Sequence, residues 1–291
     1  MSTVDPPPTD ATPPGPASWD EDRTAWWLTI AERRELQLAP VSDALFTALH
    51  LQPGERVLDV GCGPGSTTRR AHEQVGPDGR VTGTDISVGM IGAARQAAAG
   101  LDLEWIVGDA QTTDFGAGRF DVVMSRFGVM FFDDAAAAFA NLSRACAPEG
   151  RLGMAIWKQL PEAPIFAIPT QVIARVLADA GETMPDPSGG PGPTTLGHRD
   201  ATAALLHDAG WRDLLFTDPD VPLSLEGGAA PEEAADLTMA GGPAGSLLQG
   251  RSPEVMAAAR IALVAAYEQL WDGTGIVVRG GFWIITGRPA R

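Results

Sequence analysis

Residues 57–66, Val-Leu-Asp-Val-Gly-Cys-Gly-Pro-Gly-Ser, set one acid, Asp59, before three glycines at alternate positions, Gly61, Gly63 and Gly65. Glycine has no Cβ, so a ligand can lie directly on the backbone of such a segment. The chemistry this spacing allows is the cradling of a nucleotide-bearing cofactor. A second acid, Asp85, closes Val81-Thr-Gly-Thr-Asp85, 20 residues after Gly65. An acid at a strand tip there can accept two hydrogen bonds from a ribose diol. Nicotinamide and adenosyl cofactors both carry that diol, so Asp85 does not separate them. The glycines do: the dinucleotide fingerprint G-x-G-x-x-G needs glycine at 66, where Ser66 stands.

These residues need a sheet to hold them. The apolar run into Val60 reads as a buried parallel strand, followed by a tight turn and a helix starting near Thr67. A third strand, Leu103–Asp109, again ends in an acid. A fourth, Phe120–Ser125, runs into Arg126-Phe127-Gly128-Val-Met-Phe-Phe132; a helix over 134–147 and a fifth strand, Arg151–Trp157, follow. Four strand-end signals in order over about 100 residues predict an open α/β sheet. Upstream, the spacing predicts a helix over 20–38, an interruption at Pro40 and a second helix over 41–50. Downstream it predicts a helix over 165–180 and an irregular loop over 185–193. A helix over 200–209 ended by Gly210 leads into a strand over 211–217. An insertion over 229–271 carries two helices, the later one striped by Val255, Ala259, Ala262, Ala266 and Leu270. A last strand lies near 282–287.

The pattern Asp59-x-Gly61-x-Gly63-x-Gly65 resembles motif I of the class I S-adenosylmethionine (SAM)-dependent methyltransferases. Over 54–157 the chain is similar to bacterial small-molecule members grouped with the ubiquinone/menaquinone methyltransferases, and especially to actinobacterial ones with Ser-Arg-Phe-Gly-Val-Met-Phe-Phe after the fourth strand. The Trp-containing stretch from Trp19 to Pro40 and the closing Phe282–Arg288 also match, the latter as a last strand. The resemblance implies a Rossmann-like, doubly wound seven-stranded sheet with helical lid insertions, and SAM as cofactor. By position it implies that Asp59 holds the SAM ammonium, that Gly61, Gly63 and Gly65 lie under the cofactor, and that Asp85 binds the ribose beside Ile86. Asp109 and the Ala110 N–H would meet the adenine, and the Ser125 carbonyl the ammonium. The expected organisation is a flexible tail over 1–17, lid helices over 18–50 and a SAM-binding core over 51–158. A lid insertion over 159–198 and the end of the sheet with a second insertion over 199–291 complete it.

Composition narrows the classes. The net charge of −16 argues against nucleic acid and anionic membrane surfaces as partners. No apolar run is long enough to cross a bilayer. The two cysteines, Cys62 and Cys146, make neither a disulfide framework nor a metal cluster, and fit a reducing, cytoplasmic setting for a monomer or homodimer. Residues 1–17 hold six prolines and no basic-then-apolar signal. The single lysine, Lys158, among 20 arginines reads as a genomic bias.

Methyl transfer from a sulfonium is an in-line displacement. Positioning can supply roughly 7–11 kcal/mol of such a barrier, so a base is optional. The aromatic residues Trp19, Trp26, Trp27, Phe127, Phe131, Phe132, Trp157 and Phe166 suggest a flat, apolar small-molecule acceptor, an aromatic or polycyclic natural product, with oxygen favoured over carbon or nitrogen as the methylated atom. For each of them, ordinary core packing is the competing reading. Among the four histidines, His50 and His72 read as surface residues and His207 as a helix-end residue. His198, in the lid-side loop, is the candidate catalytic base, with Glu162, Glu182 and Asp186 behind it. Asp133 and Asp134 read as helix caps and not as a metal site, and no metal is expected. A nicotinamide-dependent oxidoreductase and a SAM-binding protein without transferase activity remain the alternatives.

Overall fold

The computed structural model describes residues 19–185 and 190–290. The tail expected over 1–17, the middle of the proline-rich loop and Asp186 lie outside the described residues. In chain order the elements are α1 (Glu21–Thr29), α2 (Ala31–Leu49), β1 (Arg56–Val60), α3 (Ser66–Val75), β2 (Arg80–Asp85), α4 (Val88–Ala97), β3 (Glu104–Val107), β4 (Phe120–Arg126), α5 (Ala135–Ala145) and β5 (Cys146–Trp157). They continue with α6 (Pro164–Asp179), α7 (Arg199–Asp208), β6 (Trp211–Thr217), β7 (Pro222–Ser224), α8 (Pro231–Ala240), α9 (Gly242–Ser246), α10 (Pro253–Glu268), β8 (Val277–Arg279) and β9 (Phe282–Pro289). The chain divides into two compact units.

One unit comprises Ala39–Ala163, Gly190–Val221 and Gly280–Arg291 and contains the sheet. Its seven strands run in the order β3-β2-β1-β4-β5-β9-β6. β1 pairs in parallel with β2 and β4, β2 with β3, and β4 with β5, while β9 is antiparallel to both β5 and β6. This is the expected doubly wound, mostly parallel sheet. The central strands read as unbroken apolar runs because both faces are covered: Val57, Leu58, Val60, Val122, Val123, Met124, Met154, Ala155 and Ile156 are all buried. Arg151 fastens the middle of β5. It donates to both Glu55 oxygens at 2.6 and 2.8 Å and to the Leu49 carbonyl at 2.8 Å. A bidentate guanidinium–carboxylate pair of this kind fixes orientation as well as attraction. At the far end of β5, Lys158 is buried, ion-paired to Asp218 and laid over the face of Trp283 at 4.3 Å.

The other unit comprises Met1–Leu38, Pro164–Gly189 and Pro222–Arg279. Its helices α6, α8, α9 and α10 pack together. Arg33 pairs with Glu233, Arg251 with Glu182 and Arg260 with Asp236. Tyr267 is buried and shares a 2.8 Å hydrogen bond with Thr238.

Several local expectations are corrected. The break in the N-terminal helices falls at Ile30, and Pro40 sits inside α2. Proline removes the N–H that would bond the Leu36 carbonyl, and Leu36 is exposed, so water can take that carbonyl. β5 begins at Cys146, five residues earlier than expected. The second insertion holds a third helix, α9, and is flanked by a two-stranded β7–β8 pair. The buried stripe of α10 is Val255, Ala259, Leu263 and Tyr267. It follows the i+4 ridge through the larger side chains, and Leu270 lies beyond the helix end.

Candidate cofactor site

The site is built where β1 turns into α3. Gly61, Gly63 and Gly65 have φ of +64°, +53° and +80°, the left-handed region in which a side chain is strained. Contact demands glycine at two of them as well. A Cβ on Gly61 would stand 2.6 Å from Gly128 Cα, and one on Gly65 would stand 2.5 Å from the Trp105 ring. At Gly63 a Cβ would meet nothing within 4 Å, so there the backbone faces open space.

Asp59 lies beneath this turn, fully buried. Its Oδ2 accepts from the hydroxyls of Thr67 and Thr68, both at 2.7 Å. Its Oδ1 is buried and has no hydrogen-bond partner. Burial pushes the carboxyl up to about 6, against the two threonine hydrogen bonds and the positive charge of Arg126, which favour the ionised form. Asp85 ends β2 and accepts from the Gly63 N–H and the Ser87 N–H, each at 2.9 Å. Burial raises its pKa too, opposed by those backbone donors. A carboxylate offers about four lone-pair sites, so Asp85 can anchor the glycine turn and still accept from a diol. Ile86 beside it and Val107 at the end of β3 are exposed apolar side chains on the same strand ends.

Asp109 accepts from the Gln111 N–H at 2.9 Å and from the Gln111 side-chain amide at 2.7 Å. The neighbouring Ala110 is buried, and its carbonyl accepts from Asn141 at 2.8 Å. Ser125 is buried at the end of β4. Its hydroxyl donates to the Val60 carbonyl at 2.8 Å and accepts from the Gly128 N–H at 3.2 Å. That clip holds Gly128 against Gly61, backbone to backbone. Between them Phe127 has φ +63°, strained for an aromatic residue. It stacks on Trp157 at 4.0 Å with 4° between the planes, and both meet the Phe282 edge.

An acid with an unsatisfied buried oxygen, set under a glycine turn with an open backbone, is suited to a small cationic group attached to a nucleoside. Residues 57–150 match a family model described as a methyltransferase domain. The chain is 34% identical over 178 residues to a demethylmenaquinone methyltransferase of Beutenbergia cavernae, covering 58% of this chain and 70% of that protein. The chain belongs to the class I SAM-dependent methyltransferases. It is also 38% identical over 118 residues to the nocamycin O-methyltransferase of Saccharothrix syringae, covering 40% of this chain but only 42% of that relative. Among solved structures, a phosphoethanolamine N-methyltransferase 2 of Haemonchus contortus, in complex with SAM, shares the fold with a TM-score of 0.54. It is 15% identical, over 91% of this chain and 57% of that one.

In this methyltransferase the positions singled out for the cofactor, from Asp59 to Ser125, all fall in the sheet unit, on or just after β1, β2, β3 and β4. The donor set fits SAM: the orphaned Asp59 oxygen suits an ammonium and Asp85 suits a diol. The candidates for the acceptor divide between the units. Phe127, Phe131 and Trp157 belong to the sheet unit, Trp19, Trp26, Trp27 and Phe166 to the other. Trp27 meets Trp19 edge-on at 6.5 Å, and Trp26 packs over Gly241, where a Cβ would stand 2.4 Å from the indole. His198 is exposed and caps α7, its Nδ1 accepting from the Ala201 N–H at 3.4 Å. Asp134 caps α5 through Ala137 at 2.9 Å, as its position before the helix suggested. Thr67, Thr68, Trp105, Arg126 and Gly128 were not singled out from the sequence. The hydroxyl pair eight and nine residues after Asp59 was the available signal for the first two.

Proposed function

We propose that this methyltransferase transfers the SAM methyl group to a small-molecule acceptor, an aromatic or polycyclic natural product, most favourably at oxygen. The observation that carries the cofactor half is the buried, unpaired Asp59 oxygen beneath the Gly61–Gly65 turn. The acceptor half is supported by the relationship to the nocamycin O-methyltransferase and by the aromatic residues near the ends of β4 and β5. When bound, SAM supplies an electrophilic methyl on a sulfonium. In this reading Asp59 binds the ammonium, Asp85 and Ile86 the ribose, and Asp109 and Ala110 the adenine, with Ser125 completing the ammonium contacts. Residues 18–50, 159–198 and the second insertion serve as the acceptor lid. His198 acts at most as an auxiliary base, because its ring already caps α7 and positioning alone can account for most of the rate. We further read the protein as a cytoplasmic monomer or homodimer that needs neither nucleic acid nor metal.

Calorimetry against SAM, S-adenosylhomocysteine and NAD, followed by turnover of labelled SAM with a panel of phenolic and polyketide acceptors, tests this reading. SAM binding and label transfer to a phenolic oxygen are expected. Binding of NAD without SAM, or SAM binding with no transfer to any acceptor, would overturn it.

A further inference from the structure

Arg126 follows Ser125 at the end of β4, and its positive charge acts on Asp59. Its guanidinium donates through Nη2 to the Ser66 hydroxyl at 3.0 Å and through Nη1 to the Ser42 hydroxyl at 2.6 Å. Ser66 is the first residue of α3, and the next two residues, Thr67 and Thr68, hold Asp59 Oδ2. Gly65, which precedes α3, offers no side-chain cap to the helix. The first turn of α3 is therefore fastened by a side chain arriving from β4. Ser42 on α2 is buried and steadies the other side of the guanidinium.

We propose that Arg126 is a positioning residue of the cofactor site: through Ser66 it sets the turn that delivers the Thr67 and Thr68 hydroxyls to Asp59. The proposal rests on the SAM-binding reading above. The groups facing Asp59 are few. Thr67 and Thr68 come from α3, Arg126 from β4 and the like-charged Asp85 from β2, while the Cys62 thiol lies in the turn. Asp85 and burial oppose ionisation, and the hydroxyls and Arg126 favour it. Removing Arg126 takes away the one cation of this set and loosens the mounting of both hydroxyls. Both changes shift the balance toward protonated Asp59.

The experiment is SAM binding by calorimetry from pH 5 to 9 for the wild type, Arg126→Gln, Arg126→Lys and Ser66→Ala, with folding followed by circular dichroism. Wild-type affinity should fall as pH drops below about 6. In Arg126→Gln the fall should begin at clearly higher pH, so that the loss relative to wild type is roughly tenfold or more near neutrality and shrinks at pH 9. Arg126→Lys should restore much of the profile by restoring the charge. Ser66→Ala keeps the charge and should shift the profile less, in the same direction; it stands in if Arg126→Gln does not fold. A loss of affinity in Arg126→Gln that is the same at every pH, or an unchanged profile in both Arg126→Gln and Ser66→Ala, would overturn the proposal. Absence of SAM binding by the wild type at every pH would instead overturn the cofactor reading.

Discussion

At Asp59 two requirements oppose each other. A carboxylate with one oxygen orphaned in the interior suits a cationic ligand and burdens the ligand-free fold. Its folded pKa of about 6 lies above the ordinary value of 3.8, so the folded state holds the proton more tightly than the unfolded chain. The stability linked to this group is therefore greatest below pH 4, declines as pH rises and is lost above about 6, a difference of about 3 kcal/mol. Asp59→Asn should melt higher than the ligand-free wild type at pH 7.5, with the gap closing near pH 4, and should bind SAM at least tenfold more weakly. Equal melting curves at both pH values would show that burial does not strain this acid. The glycines allow a sharper comparison. Gly61→Ala meets both a left-handed φ and the Gly128 backbone, whereas Gly63→Ala meets only the φ. Urea denaturation should show Gly63→Ala losing about 1–2 kcal/mol and Gly61→Ala losing an additional 1–3 kcal/mol. The acids and glycines were legible in the sequence because each closes a short strand or turn. Gly128 was not, because its role comes from a backbone contact made across the sheet.

At the scale of elements, β4 and β5 end in an aromatic stack held by a strained residue. Phe127→Ala should cost about 3–5 kcal/mol, because a buried ring is removed while the left-handed backbone stays. Phe127→Gly removes the same ring but relieves the backbone, and should recover about 1 kcal/mol of that loss. Glycine more stable than alanine, the reverse of the usual order, is the outcome to look for in thermal or urea unfolding. Equal stability would show that φ at Phe127 carries no strain. The strands were readable from their apolar runs, and β6 falls where the pattern put it, at Trp211–Thr217. Pro40 was misread because a proline signals a helix end only when the freed carbonyl has no other partner, and exposure of Leu36 is not visible in the sequence. The short α9 and the β7–β8 pair escaped for another reason: elements of three to five residues carry too few positions for a period to show.

At the scale of the molecule, the sheet unit and the helical unit have different legibility. The sheet repeats a strand–turn–helix grammar, and the residues proposed for the cofactor lie at or near strand ends. The helical unit is assembled from three separate stretches of chain, so its packing could not be inferred from neighbours in sequence. The buried Lys158 bears on how the protein can be studied. With no other lysine in the chain, and with this one covered by Asp218 and the Trp283 ring, the folded molecule presents almost no side-chain target to acylating reagents. Succinimidyl esters should leave Lys158 unmodified in buffer and acylate it readily in denaturant, as peptide mass mapping would show. Ready acylation of the folded protein would mean that the end of β5 opens on its own. If protection holds, the rate at which Lys158 becomes labelled as denaturant is raised is a clock for the opening of the sheet, read at one atom without an engineered probe.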